Sequence, residues 1–439
     1  MTAVILRAVA AAVAVASVAA TASAPDSLDA AFDAFFRAGN PRAAEKIGER
    51  IAKSGVDFDA AWARLKKGRS YAKASTGRRT ERQLVDGTAF ENTIEVPEEY
   101  DPARPWPVRV QLHGGIGRSE PQDPHQQRPN RIAGEPQLYL FPQGWADAAW
   151  WHPNQVANIL ALVDRLKRSY NVDESRIYLT GISDGGTGVY YLAMREPTPW
   201  SACLPLNGSI RVLANPSVGA DGDLFVGNLV NRPFFIVNGG RDPLYPAAFV
   251  APTIDLMTRA GVPLVFHPQP AAGHDTSWWP DEQHAYEQFV RDHPREPYPD
   301  RLSWETERTD RYNRIQWLIV DALGTTPGDD RFDDVNTLRE ADSKPTEQLF
   351  VHRRSSGRVD IVRRGNTIEA RTRGVRAFTL LLSPDVLDFS SPLVVRVNGR
   401  NTFTGRVARD VSTLLKWAAR DNDRTMLFGA ELKIAPRAE

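Results

Sequence analysis

The sequence predicts an α/β protein: a mostly parallel sheet with helices on both faces, followed by a C-terminal β-sandwich-like unit. Three observations carry this. Between about residues 90 and 295, short apolar runs of strand character alternate with segments of helical period. After Pro299 the alternation stops and short β-rich runs recur. Inside the alternating part, Gly181-Ile182-Ser183-Asp184-Gly185 stands where a strand-like run meets a helical one. That is the context in which a G-x-S-x-G turn lifts a serine above a sheet.

Residues 1–24 read as an export signal. Arg7 supplies positive charge, 8–20 is almost unbroken apolar chain, and Ala22-Ser23-Ala24 fits small-x-small cleavage after Ala24. The apolar run is short for a spanning helix, which leaves a retained N-terminal anchor as the alternative. No Cys follows it, which argues against a lipoprotein anchor. The expected location is secreted or periplasmic. Residues 25–85 form an expected N-terminal helical segment. Leu28, Ala31, Phe32 and Phe35 share one helical face, Asn40-Pro41 interrupts, 43–53 resumes, and the polar stretch 70–82 reads as a connector.

Residues 86–299 form the expected catalytic unit. Strands are predicted at 93–96, 108–112, 137–141, 176–180, 202–206, 234–238 and 263–268. Helices are predicted at 154–170, from Ser183 through Arg195, at 249–260 and at 282–291. Residues 300–439 form the β-rich unit. It should hold one long strand at 312–320, short strands at 359–362, 367–371, 378–382 and 393–397, and a helix near 411–419. Asn398-Gly399 is a hairpin signal. The acids Asp329, Asp330, Asp333 and Asp334 read as a solvated loop, since their spacing fits no calcium loop.

Composition narrows the function. The chain has 439 residues, 42% hydrophobic, with 54 basic and 54 acidic side chains. This balance gives no reason to expect nucleic acid or an acidic membrane surface as partner, and oligomeric state is not readable. The one cysteine, Cys203, lies in an apolar run and reads as a core residue. None of the eight histidines forms a ligand pair of H-x-x-x-H type, so no metal and no cofactor are expected.

Ser183 is the candidate nucleophile. A serine hydroxyl needs a base to accept its proton, and the base needs an orienting acid. Among the later histidines, His274 follows the last predicted parallel strand in Ala272-Gly273-His274-Asp275, while His267 lies within a strand and reads as packed or half-exposed. Asp242 follows the 234–238 strand through Gly239-Gly240-Arg241, at the sheet edge where an orienting acid belongs. Its alternative is an ion pair with Arg241, and Asp221 and Asp223 are the other candidates. Oxyanion donors are expected from the backbone of Asp184 and of Gly115, with Gly114 or Ile116 able to serve instead. His113 reads as a structural hydrogen-bonder. Trp145, Trp150, Trp151, Trp278 and Trp279 cluster around these motifs, either to hold a sugar or phenolic acyl group or to pack the core.

Leu112-His113-Gly114-Gly115, Thr180 to Gly186, Gly240-Arg241-Asp242-Pro243 and Gly273-His274-Asp275 together resemble bacterial α/β-hydrolase esterases. The resemblance is to the polyhydroxybutyrate depolymerase-like, feruloyl and acetylxylan esterases, and it covers about 90–295. The stretches 311–317 and 392–399 resemble the C-terminal β-domain that some of these enzymes carry. The resemblance implies an α/β-hydrolase fold and cofactor-free hydrolysis of a small-molecule or carbohydrate-linked ester. The missing paired cysteines set the chain apart from the depolymerases. A peptidase with the same three residues, and a non-catalytic binding protein on the same scaffold, are the competing readings.

Overall fold

The structure is a computed structural model, and it describes residues 28–119, 131–324, 335–339 and 345–436. The signal 1–24 and the acidic loop at Asp329 to Asp334 lie outside the described residues. The central sheet has eight strands: β1 (Gly77–Val85), β2 (Thr88–Val96), β3 (Trp106–Leu112), β4 (Leu138–Phe141), β5 (Val172–Ile182), β6 (Ala202–Leu206), β7 (Phe234–Gly239) and β8 (Leu264–Gln269). Their order is β1-β2-β4-β3-β5-β6-β7-β8. From β4 through β8 every neighbouring pair is parallel, while β2 runs antiparallel to both β1 and β4. This is the α/β-hydrolase fold. The inner strands are buried on both faces because helices cover both, and the polar side chains this encloses on β3, Arg109 and Gln111, are hydrogen-bonded. β6 is buried at every position.

Helices α1 (Leu28–Arg37), α2 (Pro41–Lys53) and α3 (Phe58–Lys67) open the described chain. The α/β unit adds α4 (Pro153–Ser169), α5 (Asp184–Arg195), α6 (Ala247–Arg259) and α7 (Trp279–Asp292). Asn40 caps α2 by accepting the Ala43 N–H, and Pro41 follows at the first helical position. The expected helical segment 25–85 is helical only as far as Lys67. Its polar end, read as a connector, pairs in full register as β1 with β2. The turn between them is Asp86-Gly87, both at positive φ (48° and 81°), as a two-residue hairpin requires. The charged side chains of β1 suit its place at the sheet edge.

The β-rich unit is a sandwich. One sheet contains β9 (Arg301–Thr306), β14 (Gly357–Arg364), β15 (Thr367–Arg373), β17 (Leu393–Val397) and β18 (Arg400–Gly405). The other contains β10 (Arg314–Ile315), β11 (Leu318–Leu323), β16 (Val375–Leu382) and β19 (Ala430–Ile434). Their inner faces share a core built on Trp304, Val359, Ile368, Leu318, Phe378 and Leu380. The strand expected over 312–320 is broken. Gln316 turns the chain at φ 42°, and β10 folds back on β11. The turn is held because Gln316 donates its amide to the Glu296 and Pro297 carbonyls. A short hairpin, β12 (Thr337–Arg339) with β13 (Pro345–Gln348), leads into Leu349 and Phe350. Leu338, Leu349 and Phe350 are buried in the core of the α/β unit. Helix α8 (Val411–Asp421) packs Leu414 and Leu415 against Phe32, Phe35 and Ile51, so the N-terminal helices dock on the C-terminal unit.

Buried ion pairs join the units. Arg195 of α5 gives two hydrogen bonds, 2.9 and 2.7 Å, to Glu307, which follows β9. Arg295 pairs with Asp423, and Arg424 with Glu174.

Candidate active site

The site is built where β5, β6, β7 and β8 end on the same edge of the sheet. Ser183 stands between β5 and α5 at φ 58° and ψ −120°. A turn this tight leaves no room for neighbouring side chains. A Cβ on Gly181 would lie 2.1 Å from the Gly185 carbonyl oxygen, and one on Gly185 would lie 2.2 Å from the Leu112 oxygen. The glycines of the motif are therefore steric necessities. The Ser183 N–H donates to Leu206 O at 2.9 Å, which fastens the turn to β6.

His274, in the loop after β8, reaches Ser183. Its Nε2 lies 2.8 Å from Ser183 Oγ, and its Nδ1 lies 2.7 Å from Asp242 Oδ2. With Nδ1–H donating to the carboxylate, Nε2 is free to accept the serine proton. The Asp242 carboxylate is buried, and its other oxygen accepts the N–H groups of Leu244 (2.7 Å) and Tyr245 (3.0 Å). That arrangement fixes the carboxylate in place. It does not pair with Arg241, whose side chain is exposed. The other acids lie elsewhere: Asp223 accepts the N–H groups of Arg353 and Arg354, and Asp221 pairs with Arg308 and Arg311. Asp275 accepts the Ser277 N–H and hydroxyl, which hold its carboxyl below the usual range.

The loop after β3 brings Gly114 against the serine; a Cβ there would meet Ser183 Cβ at 2.8 Å. Gly115, at φ 71°, is exposed beside it. Ile116 is spoken for: its N–H donates to Asp184 Oδ2 at 3.0 Å. Of the three donors considered, Gly114 and Gly115 remain. His113 turns away from the serine. Its Nδ1 lies 2.8 Å from Gly114 O, and its Nε2 accepts the Gly144 N–H at 3.0 Å. Burial lowers its pKa, in keeping with a neutral ring that braces the loop. Elsewhere, burial pushes the Cys203 thiol up to about 12, which keeps it protonated and inert. His267 sits on β8 against Glu282, not at the site.

Of the two readings of the tryptophans, sugar or phenolic platform and core packing, their burial favours packing. All five are buried. Trp150 donates to His113 O at 3.0 Å, Trp151 to Val218 O at 2.7 Å and Trp278 to Asp275 O at 2.8 Å. Their faces are spent on packing, and the N–H groups of Trp150, Trp151 and Trp278 tie the site loops together. Three contributions escape sequence reasoning: the Tyr245 N–H on Asp242, the Asp184 carboxylate on the loop after β3, and Asn207. Only Asn207 has a local signal, as a polar residue directly after a buried strand. Among the described residues no group of three or more His, Cys, Asp or Glu side chains is placed to hold a metal ion. No helix of the described residues is long and apolar enough to cross a membrane.

No family model matches the chain. A 110-residue stretch, 23% of the chain, is 26% identical to a bifunctional acetylxylan esterase/xylanase of Neocallimastix patriciarum, of which it spans 16%. The chain is similar to a solved thermostable esterase at 21% identity and a TM-score of 0.40, over 50% of this chain and 63% of that one. It is similar to the acylaminoacyl peptidase of Pyrococcus horikoshii at 13% identity and a TM-score of 0.39, over 56% of this chain and 45% of that one. Est1E from Butyrivibrio proteoclasticus gives 19% identity and a TM-score of 0.38, over 48% of this chain and 98% of that one.

Proposed function

We propose that the chain is a serine esterase that hydrolyses a carboxylic ester through an acyl-enzyme intermediate. The observation that carries this is the continuous line of hydrogen bonds from Ser183 Oγ through His274 to buried Asp242, 2.8 and 2.7 Å long. Ser183 attacks the ester carbonyl while His274 Nε2 takes its proton. Such base assistance contributes typically ~10²–10⁴-fold. Asp242 stabilises the imidazolium through Nδ1–H and keeps the ring oriented. The oxyanion receives the N–H groups of Asp184 and Gly115 at the N-terminus of α5, where the helix favours negative charge. One such donor is worth ~2.7–4 kcal/mol in the transition state. His274 returns its proton to the leaving alcohol, and a water deprotonated by the same imidazole releases the acid.

An ester of a small molecule or a carbohydrate is the substrate class. The acetylxylan esterase activity named for the Neocallimastix patriciarum relative is of that class. Acetyl, butyryl, feruloyl and 3-hydroxybutyryl esters should be hydrolysed with kcat/KM orders of magnitude above any amide of a parallel peptide panel. An alcohol departs with little help, whereas an amine must be protonated in good geometry. Cleavage of peptides with no turnover of any ester would replace the esterase reading with a peptidase. We further propose export with cleavage after Ala24. N-terminal sequencing of exported protein should begin at Pro25, and an exported chain beginning at Met1 would contradict this.

A further inference from the structure

We infer that Asn207 is a positioning residue that holds the base loop and the acid loop in register with the nucleophile. The inference rests on the catalytic reading given above. Asn207 follows β6 directly, is fully buried, and takes a left-handed conformation at φ 46°. Asparagine is among the few non-glycine residues that tolerate this region. Its backbone N–H continues the ladder to Val237 O at 2.8 Å. The left-handed turn leaves the side-chain amide between two loops. Nδ2 donates to the carbonyl of Asp275, the residue after His274, at 2.7 Å. Oδ1 accepts the N–H of Gly239, the last residue of β7 before the loop to Asp242, at 3.2 Å. One residue earlier, Leu206 O accepts the Ser183 N–H at 2.9 Å.

Two consecutive residues at the end of β6 thus touch the anchor points of all three reacting side chains. The separation between loops is small here: a Cβ on Gly239 would lie 2.3 Å from Gly273 O. A planar amide that donates at one end and accepts at the other matches this gap, and no aliphatic or carboxylate side chain offers both functions. Without it the two loops keep backbone bonds near their bases, Gly240 N–H to Gln269 O and Arg241 N–H to Ala272 O. The direct tie beside His274 is lost. Small errors in this geometry are costly, because general-base transfer needs the imidazole within hydrogen-bond reach of the serine.

The test uses the whole chain with p-nitrophenyl acetate, and proton NMR without substrate. Asn207→Gly carries φ 46° without a Cβ penalty and deletes both side-chain bonds. Asn207→Asp keeps an acceptor for Gly239 and sets a second oxygen against the Asp275 carbonyl; it serves as judge if the glycine variant does not fold. Asn336→Ala is the control. That side chain also makes two buried bonds to backbone, with Phe350 O at 2.7 Å and Phe350 N at 3.0 Å, away from the site. We expect kcat to fall ten- to a hundredfold in the Asn207 variants with KM within twofold. The low-field resonance of the His274 Nδ1 proton should move or vanish. The control should change neither. Wild-type kcat and an unmoved resonance in a folded Asn207 variant would overturn the inference, as would equal effects in the Asn336 control. If the wild-type chain turns over no ester, the esterase reading falls, and the NMR comparison alone decides the role of Asn207.

Discussion

Ser183 holds a backbone conformation that a side chain normally avoids, φ 58°. Strain of this kind costs ~1–3 kcal/mol and persists only where its surroundings enforce it. Here the enforcement comes from the close approach of Gly181 to Gly185 and from the bond to Leu206. Stability and function should therefore oppose each other at this residue. Ser183→Gly relieves the strain and should melt ~2–4 °C above Ser183→Ala, both being inactive. Equal or inverted melting temperatures, read by calorimetry, would remove the strain argument. Asp242→Asn should keep the fold and lower kcat by about 10⁴-fold, because the amide favours the wrong imidazole tautomer. Near-normal turnover in Asp242→Asn would strip Asp242 of that role.

At the scale of elements, strands and helices with a clean period are legible in the sequence. β3 reads by alternation, β5, β6 and β7 read as apolar runs because both faces are covered, and Asn398-Gly399 marks the turn of the β17–β18 hairpin. What escapes is decided by partners distant in sequence. β1 is polar enough to read as a connector and becomes a strand through pairing with β2; its Asp86-Gly87 turn is the signal that identifies it. The bend at Gln316 is invisible locally, because the carbonyls that hold it belong to Glu296 and Pro297. Ser183, Asp242 and His274 are legible because each sits in a short Gly-marked loop after a strand. The role of Asn207 is not, since its partners Asp275 and Gly239 are remote in sequence, and the Tyr245 N–H on Asp242 depends on how that loop turns back on itself. The docking of α1 and α2 on α8 has no local signal either. It is testable through Leu415, which is buried against those helices. Leu415→Ala should cost ~2–5 kcal/mol of stability, measured by denaturant unfolding, with turnover of a small aryl ester unchanged. A loss below 1 kcal/mol would show that the helices do not depend on that contact.

Across the whole molecule, the α/β unit and the β-sandwich share buried charge. Burial alone would raise the Glu307 carboxyl, but the hydrogen bonds and charge of Arg195 outweigh it and hold it below the usual glutamate range. A carboxyl lowered in the fold contributes stability that is fully present above its unfolded value, ~4.3, and that is lost as pH falls through the lower folded value. Glu307→Gln leaves Arg195 without its counter-charge and should cost ~3–5 kcal/mol near neutral pH. The gap in melting temperature between wild type and variant should begin to close as pH falls below ~4.3, where the unfolded carboxyl takes up a proton, and should vanish only below the lower folded value. A gap that stays constant with pH would mean that the pair contributes nothing as charges.

In the proposed reaction Ser183 is acylated, and His274 then activates the water that releases it. Mixing the chain with p-nitrophenyl acetate in a rapid-quench experiment, followed by digestion and mass spectrometry, reads this directly. The expected result is one acetyl group per chain on the peptide containing Ser183, formed in a burst before steady turnover. It should be absent in Ser183→Ala and strongly slowed in His274→Ala. Undiminished turnover in Ser183→Ala, or an acetyl group found only on another residue, would contradict the claim.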